Sequence, residues 1–303
     1  MIKPQCSMAE LRSPLLLFSI LILGIVSIVA CTTPTNQTQA GSQPEAAAPG
    51  KTPEAPAPTR TASEEQTLTV FAPASLTEAF GELGRLFEAQ NPDAKLTFNF
   101  AGSQQLAQQL AQGAPADVFA SADRIQMDAA VKSGRVAGGE ERPLIGNKLV
   151  LVYAGANPNK LVELKDLAQP GLKLILADYK VPAGRYSLEF LDKASQNPDF
   201  GASFKEDVLK NIVSYEDSVR AVLTKVSLGE ADAGIVYASD IITQSARQVG
   251  ALEIPDALNI NALYYISKVQ DSPRAELAQR FIELALSQEG QELLARYGFL
   301  MVQ

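Results

Sequence analysis

Histidine is absent from this chain, and cysteine occurs only at Cys6 and Cys31 among 303 residues. Imidazole and thiolate are common metal ligands, so their scarcity removes most metal sites a soluble domain builds. No Asp-x-Asp-x-Asp-Gly loop is present for calcium. A disulfide framework is excluded too, because Cys6 falls in a segment that reads as a cleaved signal. Without histidine a serine nucleophile needs a Lys or Asp base, and no Gly-x-Ser-x-Gly elbow appears. The residues therefore give catalysis no support. Positive charge is also short: the formal net charge is −8, which argues against nucleic acid as a partner. A small anion remains possible, since local dipoles act at short range and salt screens the rest.

The first 31 residues combine Lys3 and Arg12 with an uncharged 16-residue run, Leu15 to Ala30, followed by Cys31. A membrane-spanning helix needs about 20 apolar residues. The shorter run ending in Ile28-Val29-Ala30-Cys31 reads as an export signal with a lipobox, so residues 1–31 are expected to be a lipoprotein signal and Cys31 the lipidated residue. An uncleaved N-terminal anchor is the alternative, and either places the protein on the extracytoplasmic face of the cell envelope, tied to the membrane. Removing residues 1–31 makes the net charge one unit more negative. Residues 32–65 are Thr, Pro, Ala, Gln, Gly and Glu with almost no large apolar side chain. That composition cannot repay the entropy of ordering and reads as a tether.

From Gln66 onward the chain alternates strand and helix. Leu68–Ala72, Leu96–Phe100, Val118–Ser121, Lys148–Ala154, Leu174–Ala177, Gly234–Tyr237 and Asn261–Ser267 read as strands. Helices are predicted over Leu76–Glu88, Gln104–Gln112, Arg124–Ser133, Gly184–Ser195, Ser218–Leu228, Arg274–Ser287 and Glu292–Tyr297. The pattern predicts an α/β fold with parallel sheets covered by helices, and ligands at the carboxyl ends of the strands.

Three segments share one design there: a small polar residue that follows a strand and opens a helix. They are Ala74-Ser75-Leu76-Thr77-Glu78, Ala101-Gly102-Ser103-Gln104-Gln105 and Pro182-Ala183-Gly184-Arg185-Tyr186. The first N–H groups of a helix lack intrahelical acceptors and carry partial positive charge, so several starts aimed at one point make a neutral oxyanion site. Each also has a plain reading. Ser75 forms a Ser-x-x-Glu capping box with Glu78, and Pro182 is an ordinary helix-starting proline. Asp217 or Ser218 caps another helix whose Val219 N–H is free to face a ligand, and Tyr237 is a phenol at a strand end. Arg185 is expected in a surface salt bridge. Tyr264 and Tyr265, adjacent in a strand, point to opposite faces and read as core packing rather than as iron ligands.

Phe71-Ala72-Pro73-Ala74-Ser75-Leu76, Gly113 through Asp123, Val181-Pro182-Ala183-Gly184, Gly234 through Asp240 and Arg296-Tyr297-Gly298-Phe299 together resemble the molybdate-binding proteins of ABC transporters, in order and spacing, over about 67–300. The resemblance implies a type II periplasmic-binding-protein fold, with two lobes, each a mixed, mostly parallel sheet flanked by helices, and the anion in the cleft between them. Lobe one would take 66–146 and 240–303, and lobe two 147–239. It also implies the ligand groups: hydroxyl and N–H of Ser75, the same pair at Ser103, the N–H of Ala183, the N–H of Val219 and the hydroxyl of Tyr237. The stretch before Val219 is offset by about one residue from the family's pattern, so Ser218 is the alternative donor. Around Gly102-Ser103 other members carry more serines.

The implied function is capture of molybdate, and of tungstate of nearly equal size, by a monomeric lipoprotein. It would deliver the anion to an ABC permease and its ATPase, without a cofactor and without direct protein–metal ligands. Hydrogen phosphate would be rejected because a donor-only cleft leaves its proton unpaired. Sulfate would be separated by size. A sulfate or other oxyanion binder of the same fold, an anion-sensing lipoprotein and an enzyme are the alternatives.

Overall fold

The computed structural model describes residues 66–242 and 248–302. The expected signal, Cys31 and the tether lie outside the described residues. Ten strands form two five-stranded mixed sheets among the described residues. In the first sheet, β1 (Gln66–Pro73) lies between β2 (Ala94–Ala101) and β3 (Val118–Ser121), parallel to both. β10 (Ala262–Lys268) then runs antiparallel to β3, and β4 (Arg142–Asn147) pairs antiparallel to β10 at the edge. The second sheet repeats this plan. β6 (Leu174–Ala177) lies between β7 (Ile212–Glu216) and β8 (Ala233–Tyr237), parallel to both. β5 (Leu149–Ala154) is antiparallel to β8, and β9 (Val249–Glu253) is antiparallel to β5. The antiparallel half of each sheet exceeds what strand–helix alternation predicts, because strands beside the crossovers return in the opposite direction.

The helices follow their apolar spacing. α1 (Thr77–Gln90) buries Phe80, Leu83, Gly84 and Phe87 on one stripe, and Phe80 and Phe87 meet Phe281 of α7 (Ala275–Leu286) edge-on at 5.7 and 5.5 Å. The others are α2 (Ser103–Ala111), α3 (Arg124–Lys132), α4 (Pro182–Gln196), α5 (Phe204–Lys210), α6 (Val219–Ser227) and α8 (Gln288–Arg296). None of the described helices is long and apolar enough to cross a membrane.

The chain passes from the first sheet to the second between Asn147 and Leu149. It returns after β9, which differs from the expected boundary at 240. The segment 249–253 pairs with β5 because its backbone continues the second sheet's edge, from Val249 opposite Ala154 to Glu253 opposite Val150. Asn259 ties the two crossovers together: its Oδ1 accepts the Leu149 N–H, and its Nδ2 donates to the Leu149 and Ile254 carbonyls. Strands β4, β7 and β9 were not predicted. Each lies at a sheet edge, where Pro143, Ser214 and Gly250 interrupt the apolar signal.

Candidate functional site

The carboxyl ends of all six parallel strands converge on one cleft. β1 delivers Ser75 through a short 3-10 turn (Ala74–Leu76), and β2 delivers Gly102 and Ser103. β3 leads to Ala122, and β6 leads to Pro182 and Ala183. β7 contributes Ser218 and Val219, and β8 ends in Tyr237. The cleft is open to solvent, and the empty space within and in front of it amounts to about 230 Å³. All five residues singled out from sequence, Ser75, Ser103, Ala183, Val219 and Tyr237, line it, together with Ser218. No charged side chain is among the described residues that line it.

Each helix start brings donors to this place. Ser103 is the first residue of α2, Ala183 the second of α4 and Val219 the first of α6, so their N–H groups have no intrahelical acceptor. The Ser218 hydroxyl accepts from the Ala221 N–H at 3.3 Å as the cap of α6. That leaves its own proton to give, so the Ser218 hydroxyl and the Val219 N–H are both available as donors at this helix start. Gly102 and Gly184 permit close approach: a Cβ on Gly184 would stand 2.1 Å from the Asp178 carbonyl, and one on Gly102 would stand 2.5 Å from the Asp217 carbonyl of the facing lobe.

The hydroxyls are prepared differently. Ser103 Oγ accepts the Ala122 N–H at 3.0 Å, which leaves its own proton to give. Ser75 Oγ lies 2.8 Å from the Tyr264 phenol oxygen. The capping box expected between Ser75 and Glu78 does not form, since the Glu78 carboxylate is held by both terminal nitrogens of Arg220. Tyr237 is 1% exposed, and its hydroxyl has no hydrogen-bond partner among the described residues. Burial pushes its phenol well above the ordinary value, so it keeps its proton as a donor. A buried polar group without a partner costs about 1–3 kcal/mol, so its position at the cleft calls for a ligand acceptor.

Cations stand behind the cleft walls and are engaged there. Arg185 does not lie at the surface as expected. It reaches from α4 to the buried carboxylate of Asp123 at 2.7 Å across the two lobes, because its position on the first turn of α4 faces the start of α3. Arg220 joins Glu78 of the first lobe and lies 3.8 Å from Asp240. Gln104 and Gln105 donate to the Asp217 carbonyl and carboxylate of the facing lobe at 2.9 and 3.0 Å. Tyr264 is buried as expected and Tyr265 faces the other way, but the Tyr264 contact with Ser75 left no periodic signal in the sequence. Among the described residues no group of His, Cys, Asp or Glu side chains is arranged to hold a metal ion.

Comparison with known proteins bears on this geometry. Residues 68–300 match the family model described as bacterial extracellular solute-binding protein. The chain is 38% identical over 234 residues to the molybdate-binding protein ModA of Mycobacterium tuberculosis, covering 77% of this chain and 84% of that protein. Among solved structures, the periplasmic molybdate-binding protein of Azotobacter vinelandii aligns with a TM-score of 0.67 at 19% identity, over 78% of this chain and all of that one. The sulfate-binding protein SubI of Mycobacterium tuberculosis aligns with a TM-score of 0.68 at 19% identity, over 77% of this chain and 86% of that one. At such identities the two structural likenesses show the shared fold and do not choose between anions.

Proposed function

Because this chain belongs to the bacterial extracellular solute-binding proteins, among the relatives of molybdate-binding ABC-transporter components, we propose that it captures molybdate in the interlobe cleft and hands it to an ABC permease driven by its ATPase. Members of this family bind solutes for transport rather than turn them over. The observation that carries the reading is the fully buried Tyr237 hydroxyl, without a protein partner among the described residues, in a cleft whose other donors are helix-start N–H groups and serine hydroxyls.

The chemistry follows from the donors. A fully deprotonated tetrahedral dianion accepts on every oxygen, and neutral donors satisfy it without a buried countercharge that would itself need desolvation. In this reading the hydroxyls of Ser75, Ser103 and Tyr237 and the N–H groups of Ser75, Ser103, Ala183 and Val219 hold the oxygens. The metal touches no side chain. Tungstate, nearly the same size, shares the site. Closure of the lobes is supported by the pairs Arg185–Asp123 and Arg220–Glu78, which join them, and the permease would recognise the closed form. Acylation of Cys31, with residues 32–65 as a tether, would hold this monomer at the extracytoplasmic face of the membrane. Incorporation of labelled fatty acid that disappears in Cys31→Ser checks that anchor.

Isothermal titration of the purified protein with molybdate, tungstate, sulfate and phosphate tests the reading. The expected result is one-to-one binding of molybdate and tungstate, weaker sulfate and no phosphate. Tighter binding of sulfate than of molybdate would keep the site and change its ligand.

A further inference from the structure

Behind Ser75 runs a chain of buried hydrogen bonds whose first links have a fixed direction. Its start is Asn147, at the crossover between the sheets and fully buried. Asn147 Oδ1 accepts the Lys148 N–H at 2.9 Å. A backbone N–H only donates, so this contact fixes which end of the amide is oxygen. The Nδ2 end then donates to Ser239 Oγ at 2.9 Å and toward the Tyr264 phenol oxygen at 3.3 Å. With its oxygen accepting from Asn147, Tyr264 has one proton to place, and Ser75 Oγ, 2.8 Å away, is its other partner. The contact admits either oxygen as donor, and the arrangement that gives the buried Tyr264 proton an acceptor has Ser75 accepting, with its own proton left to point into the cleft that it lines.

We infer that Tyr264, oriented by Asn147, is a positioning residue that holds the Ser75 hydroxyl as a donor only, and thereby makes the cleft reject tetrahedral anions that carry a proton. The inference rests on the oxyanion reading above. Ser103 has the same polarity from a different source, the Ala122 N–H. A backbone donor cannot rotate, whereas a phenol and an amide are side chains that substitution removes. Ser75 is thus the serine of the pair whose direction is set by replaceable groups. With Tyr264 gone, Ser75 Oγ is free to turn and accept the proton of hydrogen phosphate. Burial keeps the Tyr264 phenol protonated far above physiological pH, so the relay does not titrate away.

The test compares wild type, Tyr264→Phe and Asn147→Leu by isothermal titration at mildly alkaline pH with molybdate, sulfate and phosphate. Sulfate serves as the control because it is small, like phosphate, yet carries no proton. In both variants the preference for molybdate over hydrogen phosphate is expected to fall by roughly tenfold or more, while the preference for molybdate over sulfate stays within about twofold. Asn147→Leu provides the readout if Tyr264→Phe does not fold. In a double-mutant cycle, Tyr264→Phe should add little in a Ser75→Ala background, since the relay acts through that hydroxyl. Equal weakening of all three anions, or full additivity with Ser75→Ala, would mean that Tyr264 only packs and would overturn the inference. A wild type that binds no tetrahedral anion would overturn the oxyanion reading itself, and the relay with it.

Discussion

At the scale of single residues, the site is a set of donors whose acceptor sides are already used or empty. Tyr237 gives the sharpest consequence. Its hydroxyl is buried and has no partner among the described residues, so Tyr237→Phe deprives no described group of a hydrogen bond. The variant is expected to melt at the same or a higher temperature without ligand, yet to lose roughly tenfold or more in molybdate affinity, the scale of one hydrogen bond to a charged group. Calorimetry of both quantities on one preparation checks the opposed signs. Asp240 carries a separate pH dependence. Burial raises its carboxyl from 3.8 to about 6, against the Arg220 charge and the Tyr237 N–H, with Glu78 adding to the rise. The folded state therefore holds this proton more tightly than the unfolded chain. Stability from this group is complete below about pH 4 and is lost as pH rises through about 6. Urea unfolding across that window should show a smaller decline in Asp240→Asn than in wild type. Ser75, Ser103 and Tyr237 were legible in the sequence because each sits at a strand end beside a helix start. Tyr264 and Asn147 were not, because their partners are 189 and 117 positions away in the chain.

The elements that matter are the starts of α2, α4 and α6 and the strands that aim them. Their sequence signal is local: Gly102-Ser103, Pro182-Ala183-Gly184 and Ser218-Val219 combine caps, a starting proline and glycine within a few residues. Edge strands carry no such mark, and β4, β7 and β9 escaped prediction because half of each faces solvent or a neighbouring loop. Two glycine substitutions separate fold from closure. In Gly184→Ala the new methyl meets the carbonyls of Asp178 and Ala177 within a single lobe, at 2.1 and 2.3 Å. That variant should lose roughly 1–3 kcal/mol of stability with or without ligand, read by chemical unfolding. In Gly102→Ala the methyl meets the Asp217 carbonyl of the other lobe and the flexible end of Gln104, which is held there by that same carbonyl and can swing away once the lobes part. An open form relieves that clash, so the ligand-free protein should keep its melting temperature while anion affinity falls. Equal destabilisation of both variants would contradict this division.

For the whole molecule, the two sheets repeat one strand plan, and the cleft lies where their parallel carboxyl ends face each other. Strand–helix alternation pointed to that class of fold, but the pairing of lobes came through the family resemblance. The return point was misplaced because β9 contributes an edge that only the β5 backbone defines. Charge at this scale acts as a clasp around a neutral site: Arg220 with Glu78, and Arg185 with Asp123, bridge the lobes outside the donor ring. Glu78→Gln should therefore shift the ligand-free protein toward the open form and weaken anion binding several-fold, visible as a larger radius of gyration in small-angle scattering. On the proposed reading, hydroxyl and N–H donors from the ends of β1, β2, β6, β7 and β8 enclose one dianion without a countercharge. A crystal structure of the molybdate complex, with the metal located by its anomalous signal, tests it most directly. One peak is expected in the cleft, its oxygens within hydrogen-bond distance of Ser75, Ser103, Ala183, Val219 and Tyr237. A peak held by Arg185 or Arg220 side chains, or one outside the cleft, would contradict it.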